Sequence, residues 1–280
     1  MPIKRWTPQS LLLLLLFLVL AVLAVFPLYA LALASLKPSK ELLRMGLNLK
    51  WDFEIMSFKN YAFLFSESAK KYLVWYGNSL GITAVYTVLS LLLSSMVGYG
   101  IAMYRFPGRN LIFVFVLLVM MVPVEIIMLP LYKQMISLRM IDTFRGVVLP
   151  FLVAPLPIFF FRQYAEGLPK DFLDAGRMDG CTEYGIFFRI MVPLMAPAFG
   201  AMAILQALGS WNSFVWPLIV LKTGSKLTLP IGLSSLVTPY GNNYDILIAG
   251  SVIAIVPILL VFIFFQRYFV SGLTVGGVKG

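Results

Sequence analysis

Long stretches without a single charged residue decide what this chain can fold into. They run from Leu11 to Leu36, Tyr72 to Tyr104, Gly146 to Phe161, Ile190 to Leu221 and Ile246 to Gln266, and a sixth from Asn110 to Tyr132 is interrupted only by Glu125. A helix crossing the hydrocarbon layer needs roughly 20 mostly apolar residues. The runs therefore predict spans at about 11–36, 73–103, 111–132, 146–163, 194–220 and 246–266. The fourth is short, and the aliphatic stem of Arg162 together with Gln163 extends it by snorkelling. A transmembrane barrel would show short alternating strands instead, and these are absent. Lipid leaves a helix as the way to satisfy the backbone, so the chain is expected to be an all-α integral membrane protein, a single domain over residues 1–280. Charged residues make up 12% of it, about half the share of a soluble domain.

Lys4 and Arg5 precede the first run as they would in a signal peptide. The run is too long for one and lacks a small-x-small cleavage site in the usual place, so it is expected to be a retained first helix. The single Cys181 rules out an internal disulfide, and the absence of His removes the commonest metal ligand and general base. No catalytic residue, no metal and no enzymatic activity are expected. A phosphate loop of the Gly-x-x-x-x-Gly-Lys-Ser/Thr type is missing, so any nucleotide is expected on another subunit. The formal charge of +10 sits at the ends of apolar runs, which points to lipid headgroups and not to nucleic acid.

Six spans put both termini on one side. The 22 Lys and Arg residues divide almost evenly between the two sides, so charge counting does not choose between orientations. Gly98 and Gly100 are expected to admit another helix close to span two. Pro123 and Pro130 are expected to kink span three, and Pro257 span six. Trp75 and Trp216 lie near span ends, where amphipathic rings favour the interface.

The segment 164–193 is unlike a simple connector. Pro169 suits a first helical turn, with Asp171 near the positive end of the dipole. Gly180 suits the left-handed residue that ends that helix, and Thr182 suits the cap of a second, with Glu183 in its first turn. Ala175 and Gly176 leave one surface without bulk, while Phe172, Tyr184, Phe187 and Phe188 supply apolar knobs. Asp174-Ala175-Gly176, three residues, Gly180, nine residues, Ile190, one residue and Val192-Pro193 follow one another at the spacing of the Glu-Ala-Ala motif. The chain thus resembles the permeases of binding-protein-dependent ABC importers. Asp174 stands for Glu, Gly176 for the second Ala and Val192 for Leu.

Phe26-Pro27, Asn78-Ser79-Leu80, Arg105-Phe106-Pro107-Gly108-Arg109, Trp211-Asn212 and Trp216-Pro217 extend the resemblance to the second permease of carbohydrate importers of the maltose-transporter class. Residues 39–49, 175–183, 239–245 and 271–280 are similar to permeases of arabino-oligosaccharide importers. The resemblance implies a type I ABC importer permease fold, both termini in the cytoplasm, and a place in the plasma membrane of a bacterium. It implies partnership with a second homologous permease, two copies of an ABC ATPase that hold ATP and Mg, and an extracytoplasmic sugar-binding protein. The imported sugar is then an arabino-oligosaccharide, with malto- or galacto-oligosaccharides or glycerol phosphate as alternatives. An ion-coupled secondary transporter would need paired ionisable groups at membrane depth, where only Glu125 is found.

In that family the 164–193 loop is the coupling helix, so Asp174, Ala175, Gly176, Asp179, Gly180, Ile190 and Pro193 are the expected ATPase-coupling residues. The resemblance also makes Pro239, Tyr240, Asn242 and Asn243 a binding-protein contact loop, and Gly276, Gly277 and Lys279 an ATPase-contacting tail. From side-chain chemistry, Gln206 and Asn212 offer amides to a sugar and Trp211 a flat ring. Glu125 is an acid within a span and either lines the pathway or faces a wet cavity beyond a break at Pro123.

Overall fold

The computed structural model describes residues 8–41, 49–66, 70–237 and 244–274. The described regular structure is helical. The principal helices are α1 (Pro8–Ser35), α2 (Lys59–Leu64), α3 (Lys70–Met103), α4 (Arg109–Met120), α5 (Val124–Ser137), α6 (Phe144–Val148), α7 (Pro155–Glu166) and α8 (Asp171–Met178). They continue with α9 (Glu183–Leu194), α10 (Ala196–Trp211), α11 (Val215–Val220), α12 (Leu229–Ser234) and α13 (Tyr244–Thr274). Among the described residues α1, α3 and the Ile246–Tyr268 part of α13 are each long and apolar enough to cross a membrane alone. Three bent pairs reach that length only together: α4 with α5 at 102°, Phe144–Phe151 with α7 at 43°, and α9 with α10 at 78°.

Proline chemistry explains where the breaks fall. Pro123 takes extended geometry (φ −60°, ψ 133°) and ends the helical path between α4 and α5, where a bare kink was expected. Pro130 and Pro257 lie inside helices that continue through them. The uncharged run 194–220 is two helices, because α10 ends at Trp211 and α11 starts at Val215.

Contacts divide the chain into two compact units. The first comprises Met1–Leu73 and Leu233–Ile255. In it α1 exposes apolar side chains all round, from Leu12 to Leu28, as a helix facing lipid does. Its last turn is fixed: Ser35 shares a hydrogen bond with the Tyr61 hydroxyl, and the Asn60 amide donates to the carbonyls of Ser35 and Lys37. Buried Lys37 donates to the Lys50 carbonyl at 2.7 Å.

The second unit comprises Val74–Gly232 and Val256–Gly280. One core gathers Tyr99, Met103, Phe161, Ile186, Phe187, Met191 and Met202 around the 171–194 segment. Another gathers Ile82, Met135, Val148, Trp216 and Val220. Gly98 sits where α3 meets α7; a Cβ there would lie 2.8 Å from Arg162 N and from Ile158 O. Gly100 meets nothing within 4 Å in this chain. The Trp75 indole donates to Gly224 O and the Trp216 indole to Gly146 O, and both rings are buried. They are packing anchors of the unit's interior.

Asp142, in left-handed geometry at φ 57°, ties the 138–146 turn to the 222–226 turn. Its carboxylate accepts from the backbone N–H of Lys222 and Thr223, from the Thr223 hydroxyl and from Lys226 Nζ at 2.8 Å. Lys226 first, then Thr223 and the backbone donors, hold this carboxyl well below the usual aspartate range. A lowered pKa means that the tie is intact above the ordinary aspartate value and is lost as pH falls through the lowered one. At neutral pH, Asp142→Ala is expected to speed tryptic cleavage after Lys222 or Lys226 at least fivefold. An unchanged cleavage rate would show that other contacts hold the two turns together.

Candidate functional site

The 171–194 segment is built from local chemistry. Asp171 and Asp174 fall in the first turn of α8 and complement its dipole. Pro169 lies just ahead of the helix, not within its first turn. At the other end Gly180 takes φ +73°. Cys181 N donates to Gly176 O at 2.9 Å and Gly180 N to Arg177 O at 3.0 Å, the two bonds of a Schellman close. Thr182 then caps α9, its hydroxyl accepting from Gly185 N at 3.1 Å. The turn Phe187–Met191 widens to a π-helix, with Val192 N reaching Phe187 O. Pro193 supplies the reason: it has no N–H, and its ring would meet the carbonyl four residues back in an α-turn.

The segment has an inward and an outward face. Leu173, Gly176, Ile186, Phe187 and Met191 are buried in the core. A Cβ on Gly176 would lie 2.9 Å from Ile186 Cγ1 and 3.0 Å from Ile190 Cδ1. Gly176 thus serves the contact of α8 with α9 and not an outer surface, and Phe187 is likewise internal; both correct the sequence reading. Ala175, Asp174, Asp179, Gly180 and Pro193 are exposed, and Ile190 is half-buried. The outward apolar knobs are Phe172, Met178, Tyr184 and Phe188, with Met178 87% exposed. Met178 escaped the sequence reading, because nothing in its neighbours marks which side of the last α8 turn faces out.

A polar clamp joins α8, α9 and the end of α3. Arg177 Nε donates to Glu183 Oε1 at 2.8 Å, and Arg177 Nη1 pairs with Asp174 at 3.4 Å. The Tyr104 hydroxyl donates to Glu183 Oε2 at 2.5 Å. Arg177 first and Tyr104 second hold the Glu183 carboxyl below the usual glutamate range. Burial first, then the Glu183 bond, push the Tyr104 phenol up. α8 is thereby joined to α9 by packing and to the end of α3 by hydrogen bonds.

At Gly180 an added Cβ meets no atom within 4 Å, so only backbone strain opposes a side chain. Gly180→Val costs about 1–2 kcal/mol for left-handed geometry, enough to raise an open population roughly five- to thirtyfold. Half-buried Cys181, next in the chain and its only thiol, reports this opening. Its maleimide labelling is expected to accelerate by that factor in Gly180→Val and far less in Gly180→Asn. Equal rates in all three proteins would remove the turn geometry as the reason for glycine.

The four residues singled out for sugar passage divide into two that are buried and two that are exposed. Gln206 is buried, and its amide donates to the Tyr86 hydroxyl at 3.0 Å and to Ser90 Oγ at 2.8 Å. Trp211 is buried and packs edge-on against Tyr76, ring centres 5.6 Å apart. Asn212 is exposed and caps the C-terminus of α10. Glu125 is exposed in the first turn of α5, beyond the break at Pro123, and not part-way along one continuous span. Pro239, Tyr240, Asn242, Asn243, Gly276, Gly277 and Lys279 lie outside the described residues.

A family model described as "Binding-protein-dependent transport system inner membrane component" matches residues 90–275. An arabinooligosaccharides transport system permease of Bacillus subtilis is 64% identical over 90% of this chain and 89% of its own. A permease of the same description from Halalkalibacterium halodurans is 60% identical over 89% of each chain. A lactose transport system permease of Rhizobium radiobacter is 36% identical over 82% of this chain and 83% of its own. Among solved structures, a bacterial ABC transporter that imports the acidic polysaccharide alginate matches with a TM-score of 0.80 at 21% identity, over 95% of this chain and 100% of that one, and shares the fold.

Proposed function

This chain belongs to the family of binding-protein-dependent transport system inner membrane components, and we propose on that premise that it imports arabino-oligosaccharides. The observation that carries the substrate is the 64% identity to an arabinooligosaccharides permease over nearly the full chain. In this reading the chain has no catalytic site. ATP and Mg are held by two copies of a separate ATPase, a second related permease completes the pathway, and an extracytoplasmic binding protein delivers the sugar. Both termini face the cytoplasm, as does the 171–194 segment.

The residues of this chain act as a mechanical link. Phe172, Met178, Tyr184 and Phe188 form the exposed apolar rim that docks on the ATPase. Closure of the ATPase pair moves α8. The Gly176 contact carries that motion to α9, and Arg177, Glu183 and Tyr104 carry it to α3. The spans then open to the opposite side. Charge-assisted bonds suit this transfer, being short and directional.

The test is uptake of labelled arabinotriose by a strain lacking the chain, with and without its return. Restored uptake that also requires the ATPase is expected. Restored uptake of lactose or glycerol phosphate, with none of arabinotriose, would reassign the substrate. ATP turnover by the purified chain alone would overturn the division of labour.

A further inference from the structure

We infer that this chain carries a sugar subsite of its own, a charge-free cavity that takes one end of a neutral oligosaccharide; this rests on the sugar-import reading above. The cavity has a volume of about 380 Å³ and lies wholly within the second unit. That is near the low end of the ~300–1,000 Å³ typical of small-molecule sites, enough for the end of a saccharide and not its whole length. Its walls include Ser79 and Tyr86 of α3, Ser210 of α10, Ser213 in the gap that follows, Trp216 of α11, and Thr228.

Three observations point to a ligand. First, two of the breaks in this unit's helices border the cavity. Val124 opens α5 just after the 102° break, and Ser213 lies in the gap between α10 and α11. Non-helical backbone at membrane depth is tolerated where protein or a wet cavity covers it, and interrupted helices mark substrate sites in transporters. Second, Thr228 is 4% exposed, yet its hydroxyl has no hydrogen-bond partner in the structure. A buried hydroxyl without a partner is costly, and rotation about χ1 toward the cavity would offer it to a polar ligand group. Third, the lining chemistry selects the ligand. Serine, threonine and tyrosine hydroxyls both donate and accept, as sugar hydroxyls require. Trp216 is held in place by its bond to Gly146 O and edge-packed on Phe151, so its ring is a fixed apolar wall for sugar C–H groups. Among the described residues no Asp, Glu, Lys or Arg lines the cavity, so none of them there would pair with the charge of a uronate or a phosphate ester.

The site sits one residue away from two sequence-selected candidates. Val124 precedes exposed Glu125, and Ser213 follows exposed Asn212. The serines and not the amide meet the cavity.

The test uses the whole transporter in vesicles, with Cys181→Ala as background. Ser210→Cys and Ser213→Cys are introduced one at a time, with Lys222→Cys outside the cavity as control. Maleimide labelling is followed during turnover with arabinotriose, an acidic trisaccharide or no sugar, and uptake by each variant shows that it is folded. Arabinotriose is expected to slow labelling at least threefold at Ser210→Cys or Ser213→Cys, with no effect at Lys222→Cys and none from the acidic sugar. Thr228→Val, which keeps the shape and removes the hydroxyl, is expected to lower uptake per ATP hydrolysed at least threefold. Equal labelling with and without a transported sugar in both variants, or equal protection at Lys222→Cys, overturns the subsite. If arabinotriose is not taken up but another neutral sugar is, the substrate assignment fails. The subsite is then judged by protection from that sugar in the same experiment.

Discussion

Gly176→Leu is expected to abolish uptake while leaving membrane insertion intact. The apolar spans that direct insertion are untouched by the change. Gly176 is where α8 lies on α9, with Ile186 Cγ1 and Ile190 Cδ1 within 3.0 Å of an added Cβ. Those atoms belong to side chains, Ile190 Cδ1 at a tip that can give way and Ile186 Cγ1 on a buried residue that must shift to admit a methyl. Gly176→Ala also gains about 1 kcal/mol of helix propensity, and near-normal uptake is expected. Leucine has no such room. Overpacking costs on the order of 1–3 kcal/mol, and the relief available is separation of α8 from α9. That would draw Arg177 away from Glu183 and cut the proposed link at its first joint. Uptake more than tenfold below wild type, with ATPase pull-down measured alongside, is the expected result. Wild-type uptake in Gly176→Leu would remove this packing from the mechanism.

Gly98→Leu is expected to damage the fold itself. The atoms that an added Cβ would meet at 2.8 Å include Arg162 N and Ile158 O, backbone of α7 that cannot step aside without moving the helix. The cost is about 3 kcal/mol or more, at the upper end for overpacked sites. Thermal unfolding of the purified chain in detergent should show a large drop, or no monodisperse protein should be recovered. Gly100→Leu is the control, since nothing lies within 4 Å of its added Cβ. Equal stability of the two variants would show that the crossing of α3 and α7 relaxes easily.

The helical class and the capped turn at Gly180 were legible because they rest on local rules. An uncharged run has few states open to it in lipid, and a Gly followed two residues later by a Thr carries its own turn and cap chemistry. What stayed hidden depended on partners far away in the chain. Whether Gln206 is free for a sugar depends on Tyr86 and Ser90, over a hundred residues earlier. Whether Trp216 faces lipid depends on the carbonyl of Gly146. Which face of α8 is outward depends on where Ile186 and Ile190 fall, so Gly176 read as a bare surface although it is a packed one. The break after Trp211 had a further cause of concealment: no proline lies between Pro197 and Pro217, and no charged residue falls on either side of it before Lys222.

The length of α1 has a consequence for how the protein responds to the bilayer. At ~1.5 Å per residue, its 28 residues reach about 42 Å, against a hydrocarbon core of ~30 Å. Such an excess is relieved by tilt, and acyl-chain length then sets the angle. One end is not free to follow, because Ser35 is clasped by Tyr61 and Asn60. The helix must therefore lean about that clasp like a mast stepped at its foot. A cell that lengthens or shortens its fatty acids with temperature would change the angle between α1 and α2, which carries Asn60 and Tyr61.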